Sequence, residues 1–183
     1  MRLFTGLDLP DDVLQRVEAA IAQLKPVARV HWSPVQNLHI TTKFIGEWPE
    51  AKLELLKQSL AQVPRSGVFG VAIRGFGWFP NPHHPRNFWA GIHAPDALAE
   101  LARTTNEELA KIGIAVEEKK FSPHLTLARI KSPEHVAALR QAVAKTESAD
   151  FGAFEARSFF LYLSEPKAGG SVYTKLSEFP LAQ

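Results

Sequence analysis

The pattern of hydrophobic and polar residues along the chain predicts strands that alternate with helices. Residues 1–9 are mostly apolar and predict a strand. Pro10 and the two aspartates after it are typical of a helix start, and Val13, Val17 and Ile21 follow at helical spacing. A strand through HITTKFIG, a helix over WPEAKLELLKQSLAQV and one or two strands within FGVAIRGFGWF complete the first half of the chain.

The second half of the chain repeats this order. FWAGIHAPD at residues 88–96 matches the pattern of LFTGLDLPD at residues 3–11, and the same offset of 85 positions separates HITT from HLTL. Several features in one register indicate a duplication. We therefore predict an α+β fold of two lobes related by a pseudo-twofold axis, in which two antiparallel sheets face a central cleft and helices lie on the outside.

The predicted domain is a single bilobal unit that spans residues 1–183. Its two interleaved α+β repeats cover roughly residues 1–80 and 87–165, and residues 171–179 supply a closing strand. Prolines in the stretch FPNPHHPRN, at residues 79–87, exclude both helix and central strand, so we predict that this stretch links the two lobes.

Composition narrows the possible functions. The 21 basic and 19 acidic side chains give a net charge of +2, which is too mild to require a polyanionic partner such as a long duplex. The absence of cysteine excludes disulfides, thiolate nucleophiles and zinc sites that use cysteine. Because no signal-peptide core and no long apolar run are found, we expect a cytoplasmic protein without a membrane partner. The near-equal charges and the self-contained duplicated fold make a monomer the default expectation.

The candidate chemistry lies in two copies of a His-x-Thr motif, HITT and HLTL. Residues two apart on a strand face the same way, so each histidine shares a face with the threonine of its motif. The pairs are His39 with Thr41 and His124 with Thr126. A pseudo-twofold would place two imidazoles and two hydroxyls around one tetrahedral phosphate. One ring would act as base and the other as acid on a phosphate ester, while the hydroxyls bond its non-bridging oxygens, and no metal or cofactor is predicted.

Two cations are further candidates for binding the phosphate. Lys43 has the strand parity of His39 and Thr41, so it could add a positive charge to the site, although a lysine at a strand end is commonly just solvated. Arg129 has the opposite parity from His124. It reaches the same cleft only if the strand twists or bulges there.

Three other histidines, His31, His93 and His135, lack a partnered motif and are interpreted as ordinary surface or strand residues.

Taken with their surroundings, the two motifs resemble a known family. HITT and HLTL match the paired His-x-Thr-x motifs of the 2H phosphoesterases, and RLFTGLDLP, LHITTKFIG, FSPHLTLAR and YTKLSEFPL are most similar to the RNA 2′,3′-cyclic phosphodiesterases, also named 2′-5′ RNA ligases. The resemblance spans essentially the whole chain. The first motif departs from the family pattern at Thr42, where an apolar residue is commoner, and this position is expected to point away from the cleft.

The resemblance implies a bilobal α+β fold and a metal-independent opening of 2′,3′-cyclic phosphates, in RNA ends or small nucleotides, to 2′-phosphomonoesters. Carried over to this sequence, His39 is the proton donor to the leaving 3′ oxygen and His124 is the proton acceptor that activates water. Thr41 and Thr126 would hold the phosphate. The family often places an arginine just after its second motif, which favours Arg129. Aromatic residues near the cleft, Phe121 and Tyr173, could stack on a nucleobase of such a substrate, and core packing is the competing role for both.

Two alternatives stay open at the level of the sequence. An RNA 5′ hydroxyl in place of water would give a 2′-5′ linkage by the reverse chemistry, although hydrolysis should prevail in water. An RNA-binding module with a vestigial site would require one motif to be damaged, whereas both are intact.

Overall fold

The computed structural model describes residues 1–146, 149–168 and 170–182. Within them the order of elements is β1 (Arg2–Leu7), α1 (Asp11–Leu24), β2 (His31–Trp32), β3 (Ile40–Glu47), α2 (Leu53–Ala61), β4 (Phe69–Phe79), β5 (Asn87–His93), α3 (Asp96–Ala110), β6 (His124–Arg129), α4 (Val136–Ala144), β7 (Asp150–Ala156), β8 (Ser158–Lys167) and β9 (Gly170–Pro180). Short 3₁₀ turns precede β3, α2 and α4. The strands and helices predicted for the first half of the chain are confirmed.

The strands form two antiparallel sheets. Sheet A has the order β3-β1-β8-β9, and sheet B has the order β2-β6-β5-β4-β7. Helices α2 and α3 pack against sheet A, through β9 and β3, and α1 packs against β7 of sheet B. The predicted α+β class with two antiparallel sheets is therefore confirmed. None of the helices in the described ranges is long and apolar enough to cross a membrane.

Helix α1 buries in the core the apolar positions that the sequence pattern identifies. It begins at Asp11, directly after Pro10, and the two aspartates of its first turn complement the partial positive charge of a helix N-terminus. Its apolar positions Val13, Val17 and Ile21 are buried in the core. Burial of each such side chain contributes about 1.5–3 kcal/mol, so the helix is held by this one face.

Neither sheet is built from one half of the chain. Strand β4 of the first half pairs with β5 and β7 in sheet B, whereas β8 returns to sheet A and pairs with β1. The stretch at residues 79–87 joins β4 to its hairpin partner β5 within one sheet, so the prediction that it links two lobes is wrong. Prolines explain why this stretch is a loop, but they carry no information about which sheet its flanking strands join. The boundaries proposed for the two repeats stay a prediction.

Candidate active site

The two motif strands share one burial pattern. Along residues 39–44 and again along 124–129, the side chains are half-buried, buried, half-buried, buried, buried and exposed. A regular strand alternates, so two successive buried residues indicate an interruption. In both strands the interruption is a β-bulge at the fourth motif residue, Thr42 in β3 and Leu127 in β6.

The bulge in β3 turns Lys43 away from the motif histidine. Thr5 of β1 opposes Lys43, and the Thr5 hydroxyl lies 2.8 Å from the hydroxyl of the bulged Thr42. Lys43 is only 5% exposed, and its Nζ donates to the carbonyl of Ala115, 2.7 Å away. Burial lowers the pKa of the Lys43 amine. The prediction that Lys43 shares the face of His39 is wrong, because the extra residue reverses the alternation.

The bulge in β6 has the opposite effect on Arg129. Thr126 opposes Trp89, and Arg129 opposes Asn87. Trp89 and Asn87 are two apart on β5 and therefore face the same way, so Thr126 and Arg129 also share a face. The condition set by the sequence, a bulge between His124 and Arg129, is met. We call this side of each sheet, which carries the motif threonine, the motif face.

Both imidazoles are held in the same way. Nδ1 of His39 lies 2.6 Å from the carbonyl oxygen of Asn37, and Nδ1 of His124 lies 2.9 Å from the carbonyl oxygen of Ser122. A carbonyl oxygen can only accept, so Nδ1 is the donor in each ring. Nε2 of each ring is then left to accept or donate a proton according to its charge state.

Aromatic rings surround His39. The ring centroid of Phe4 lies 4.5 Å from that of His39, and the Tyr173 ring meets it edge-on at 5.1 Å. Burial lowers the pKa of His39, while the Asn37 carbonyl and the Asp8 carboxylate act in the opposite direction. Asp8 is itself paired with the amine of Lys175. The free protein therefore favours an uncharged His39.

His124 lies against two aromatic residues of sheet B. Its ring is perpendicular to that of Phe79 at 4.9 Å between centroids, and it lies 6.4 Å from Trp89. Trp89 crosses over Gly77, where an added Cβ would lie 2.0 Å from the nearest atom of the indole ring. Glycine at this position therefore makes room for the indole that lies beside the second motif.

Stacking by Tyr173 and Phe121 stays a prediction. Tyr173 is placed beside His39, whereas Phe121 packs partly against the hydrophobic core. Residues Asn37 and Tyr173 also line a groove of about 360 Å³, with Lys167 and Ser171 on its β8–β9 side. Since both residues contact His39, this groove adjoins the first motif.

Phe44 is a further candidate for contact with a substrate, and the sequence analysis did not identify it. It opposes Phe4, while Thr41 opposes Gly6, so Phe44 and Thr41 share the motif face by the argument used for Arg129. Phe44 is 66% exposed, the most exposed large hydrophobic side chain of the described residues. In the repeat it is the counterpart of Arg129. Regular alternation from Thr41 would place Phe44 on the opposite face, and the bulge at Thr42 brings it to the motif face.

The two motif strands meet at the junction of the sheets, where Cα atoms of β3 and β6 come within 8 Å of each other. Sheet A thus carries one tethered imidazole and one threonine hydroxyl of the first motif, and sheet B carries the matching pair of the second motif together with the Arg129 guanidinium. These groups suit acid–base chemistry on a small anion.

Comparisons with known proteins find relatives that match nearly the whole chain. The chain matches the family model described as LigT like phosphoesterase over residues 7–89 and 92–173, each segment containing one motif. It is 35% identical over 181 residues to the RNA 2′,3′-cyclic phosphodiesterase of Archaeoglobus fulgidus, covering 98% of this chain and 99% of that protein. It is 31% identical to the protein of the same name from Methanothermobacter thermautotrophicus, covering 99% of both chains.

Solved structures give the same result. The protein TT0787 of Thermus thermophilus is 30% identical with a TM-score of 0.82, covering 99% of this chain and 98% of that one. LigT of E. coli complexed with 3′-AMP is 25% identical with a TM-score of 0.82, covering 100% and 98%. The resemblance seen in the sequence is thus confirmed, and the chain belongs to the LigT-like phosphoesterase family.

Proposed function

We propose that the protein opens 2′,3′-cyclic phosphates at RNA ends to 2′-phosphomonoesters, by acid–base catalysis between His39 and His124 and without a metal. The observation that carries this proposal is the matched construction of the two motifs. Each has a bulge at its fourth residue and an imidazole tethered through Nδ1 to the carbonyl two residues earlier. Two equivalent Nε2 atoms on two adjoining strands are what a paired acid and base require.

In the proposed reaction a water oxygen attacks phosphorus while the bond from phosphorus to the 3′ oxygen breaks. Nε2 of His124 takes the proton from the water, and Nε2 of His39 gives its proton to the leaving 3′ oxygen. The hydroxyls of Thr41 and Thr126 donate to the non-bridging oxygens, and Arg129 balances their negative charge. Each turnover leaves the two rings with exchanged protonation states, which proton exchange with solvent restores.

The donor role requires His39 to be charged when the substrate is bound. Burial lowers the pKa of His39 in the free protein, and the Asp8 carboxylate counteracts this. A bound anionic phosphate adds a second negative charge beside the ring, and an opposite charge at short distance favours the protonated form. The proposal therefore includes substrate-assisted protonation of His39.

The names of the relatives support the same substrate class. Full-length relatives are called RNA 2′,3′-cyclic phosphodiesterases, and E. coli LigT has been solved with 3′-AMP and with ATP. Within the described ranges no group of three or more histidine, aspartate or glutamate side chains is placed to hold a metal ion. Metal independence is a part of the proposal that experiment must decide.

The test uses an oligoribonucleotide with a 2′,3′-cyclic phosphate end, incubated with the protein in EDTA. We expect a 2′-phosphate product, and we expect His39→Ala and His124→Ala each to lower kcat by about 10²–10⁴-fold. His135→Ala serves as the control histidine. A 3′-phosphate product, dependence on added metal, or full activity in either motif variant would contradict the proposal. Binding without turnover in the unchanged protein would favour the RNA-binding alternative.

A further inference from the structure

A row of polar side chains crosses sheet B next to the second motif. His31 of β2 opposes Arg129 of β6, and Arg129 opposes Asn87 of β5. Side chains of directly opposed residues lie on one face, with Cβ atoms about 4.5–5.5 Å apart. An imidazole, a guanidinium and an amide therefore stand side by side. We call these three residues the polar row.

The neighbouring row of opposed residues shows that the polar row lies on the motif face of sheet B. Trp32 opposes Ala128, which opposes Phe88, and the rings of Trp32 and Phe88 lie 6.2 Å apart. Phe88 is fully buried in the core. Since successive residues point to opposite faces, His31 points to the motif face, together with Thr126.

Strand β2 is held in this register by hydrogen bonds to the motif strand. The Ser33 amide donates to the carbonyl of Leu127 at 2.8 Å, and the Ser33 hydroxyl donates to the carbonyl of Thr126 at 2.9 Å. The Trp32 indole donates to the Ala28 carbonyl. His31 is therefore positioned by the sheet and not by a free loop.

Among the described residues, no acidic side chain forms an ion pair with the polar row. His31 and Arg129 are exposed, and Asn87 is half-buried. In the described part of the chain, the ion pairs include neither His31 nor Arg129. A protonated imidazole directly opposite a guanidinium is unfavourable unless an anion lies between them. All three side chains can donate hydrogen bonds, which is the pattern that a phosphate accepts.

We infer that the polar row binds the phosphodiester on the 5′ side of the terminal nucleotide whose cyclic phosphate is opened, with Arg129, its middle member, shared between this phosphodiester and the cyclic phosphate. The inference rests on the proposed function and specifies its substrate as an RNA chain in preference to a single nucleotide. Residues two apart on a strand are separated by roughly 7 Å, so the row begins one step beyond Thr126. A chain that places its cyclic phosphate between the motifs can thus reach the row with its next phosphate.

The test measures binding of two 3′-phosphorylated ligands, a dinucleotide with one internal phosphodiester and the matching nucleoside 3′-monophosphate. The unchanged protein should bind the dinucleotide more tightly, with a salt dependence steeper by about 0.7 in the slope of log K against log salt. His31→Ala should weaken dinucleotide binding by about three- to fivefold and leave the mononucleotide unaffected. His31→Arg should restore the preference, and His135→Ala should not change it.

Three outcomes would overturn the inference. They are equal affinities for the two ligands in the unchanged protein, equal losses for both ligands in His31→Ala, and an unchanged preference in that variant. Hydrolysis of the corresponding cyclic phosphates by the same preparations separates this failure from failure of the proposed function. Intact hydrolysis without a dinucleotide preference would refute only the binding of the 5′ phosphodiester by the polar row, whereas absent hydrolysis would refute the proposed function itself.

Discussion

Replacement of Thr42 by valine should destabilise the protein although Thr42 belongs to the first motif. Thr42 is 6% exposed and Thr5 is fully buried, and their hydroxyl oxygens lie 2.8 Å apart. Valine has nearly the shape of threonine, so the substitution exchanges one hydroxyl for a methyl group. It leaves the Thr5 hydroxyl buried without this partner.

The size of the effect follows from that unpaired hydroxyl. A buried donor or acceptor left without a partner costs about 1–3 kcal/mol. In a chain of this length each kcal/mol lowers Tm by about 2–4 °C, so Thr42→Val should lower Tm by roughly 2–12 °C. In the double variant Thr5→Val/Thr42→Val both hydroxyls are gone. Its free energy of unfolding should return close to that of the unchanged protein, because replacing both partners is nearly neutral.

The measurement is a double-mutant cycle by urea unfolding, with kcat/KM for a cyclic phosphate determined on each variant. We expect unchanged kcat/KM throughout, since Thr42 and Thr5 point away from the motif face. A Thr42→Val variant as stable as the unchanged protein would refute the pairing. A double variant less stable than both single variants would refute it as well.

Three further predictions concern residues whose placement depends on the bulges and on the surroundings of His39. Arg129→Met should lower kcat/KM by about 10–100-fold without a change in Tm, whereas Lys43→Met should leave kcat/KM unchanged; similar losses in both would contradict the bulge geometry. Asp8→Asn removes the carboxylate that raises the pKa of His39, so that pKa should fall further. If His39 is the donor, the alkaline limb of the pH profile of kcat/KM then moves to lower pH, whereas movement of the acidic limb would identify His39 as the base. Phe44→Ala should weaken binding of a nucleoside 3′-monophosphate by about 1–3 kcal/mol in calorimetry and leave inorganic phosphate unaffected; equal weakening would argue against stacking on the base.

Local signals in the sequence are sufficient to predict the strands and helices and to pair each motif histidine with its threonine. Pro10 with its two aspartates marked the start of α1, and the side-chain period of two put each motif histidine with its threonine. The sequence predicts that Thr42 points away from the cleft, and its hydroxyl meets that of buried Thr5, on the side opposite the motif face. These features depend on neighbours a few residues apart, so the chain itself contains the information.

Some residues have positions that the sequence does not predict, because those positions depend on pairing between strands that are distant in the chain. Whether Lys43 or Arg129 reaches the motif face is decided by a bulge, and a bulge exists only relative to the partner strand. His31 looked ordinary because its register partner, Arg129, is nearly a hundred residues away in the sequence. The loop at residues 79–87 was misinterpreted for the same reason, since its prolines do not report the strand order of the sheet.

The return of β8 to sheet A has a consequence for the order in which the molecule assembles. Leu3 of β1 pairs with Leu163 of β8, far along the chain. Nearly the whole chain must therefore be synthesised before β1 has a neighbouring strand on both sides. Contacts this distant in sequence close slowly, and until then one edge of β1 is open to pairing with other chains. The wall around His39 includes Tyr162 and Tyr173, from β8 and β9. A partly synthesised chain can therefore hold both motifs and still lack the environment of its first histidine, so maturation of the site coincides with completion of the fold.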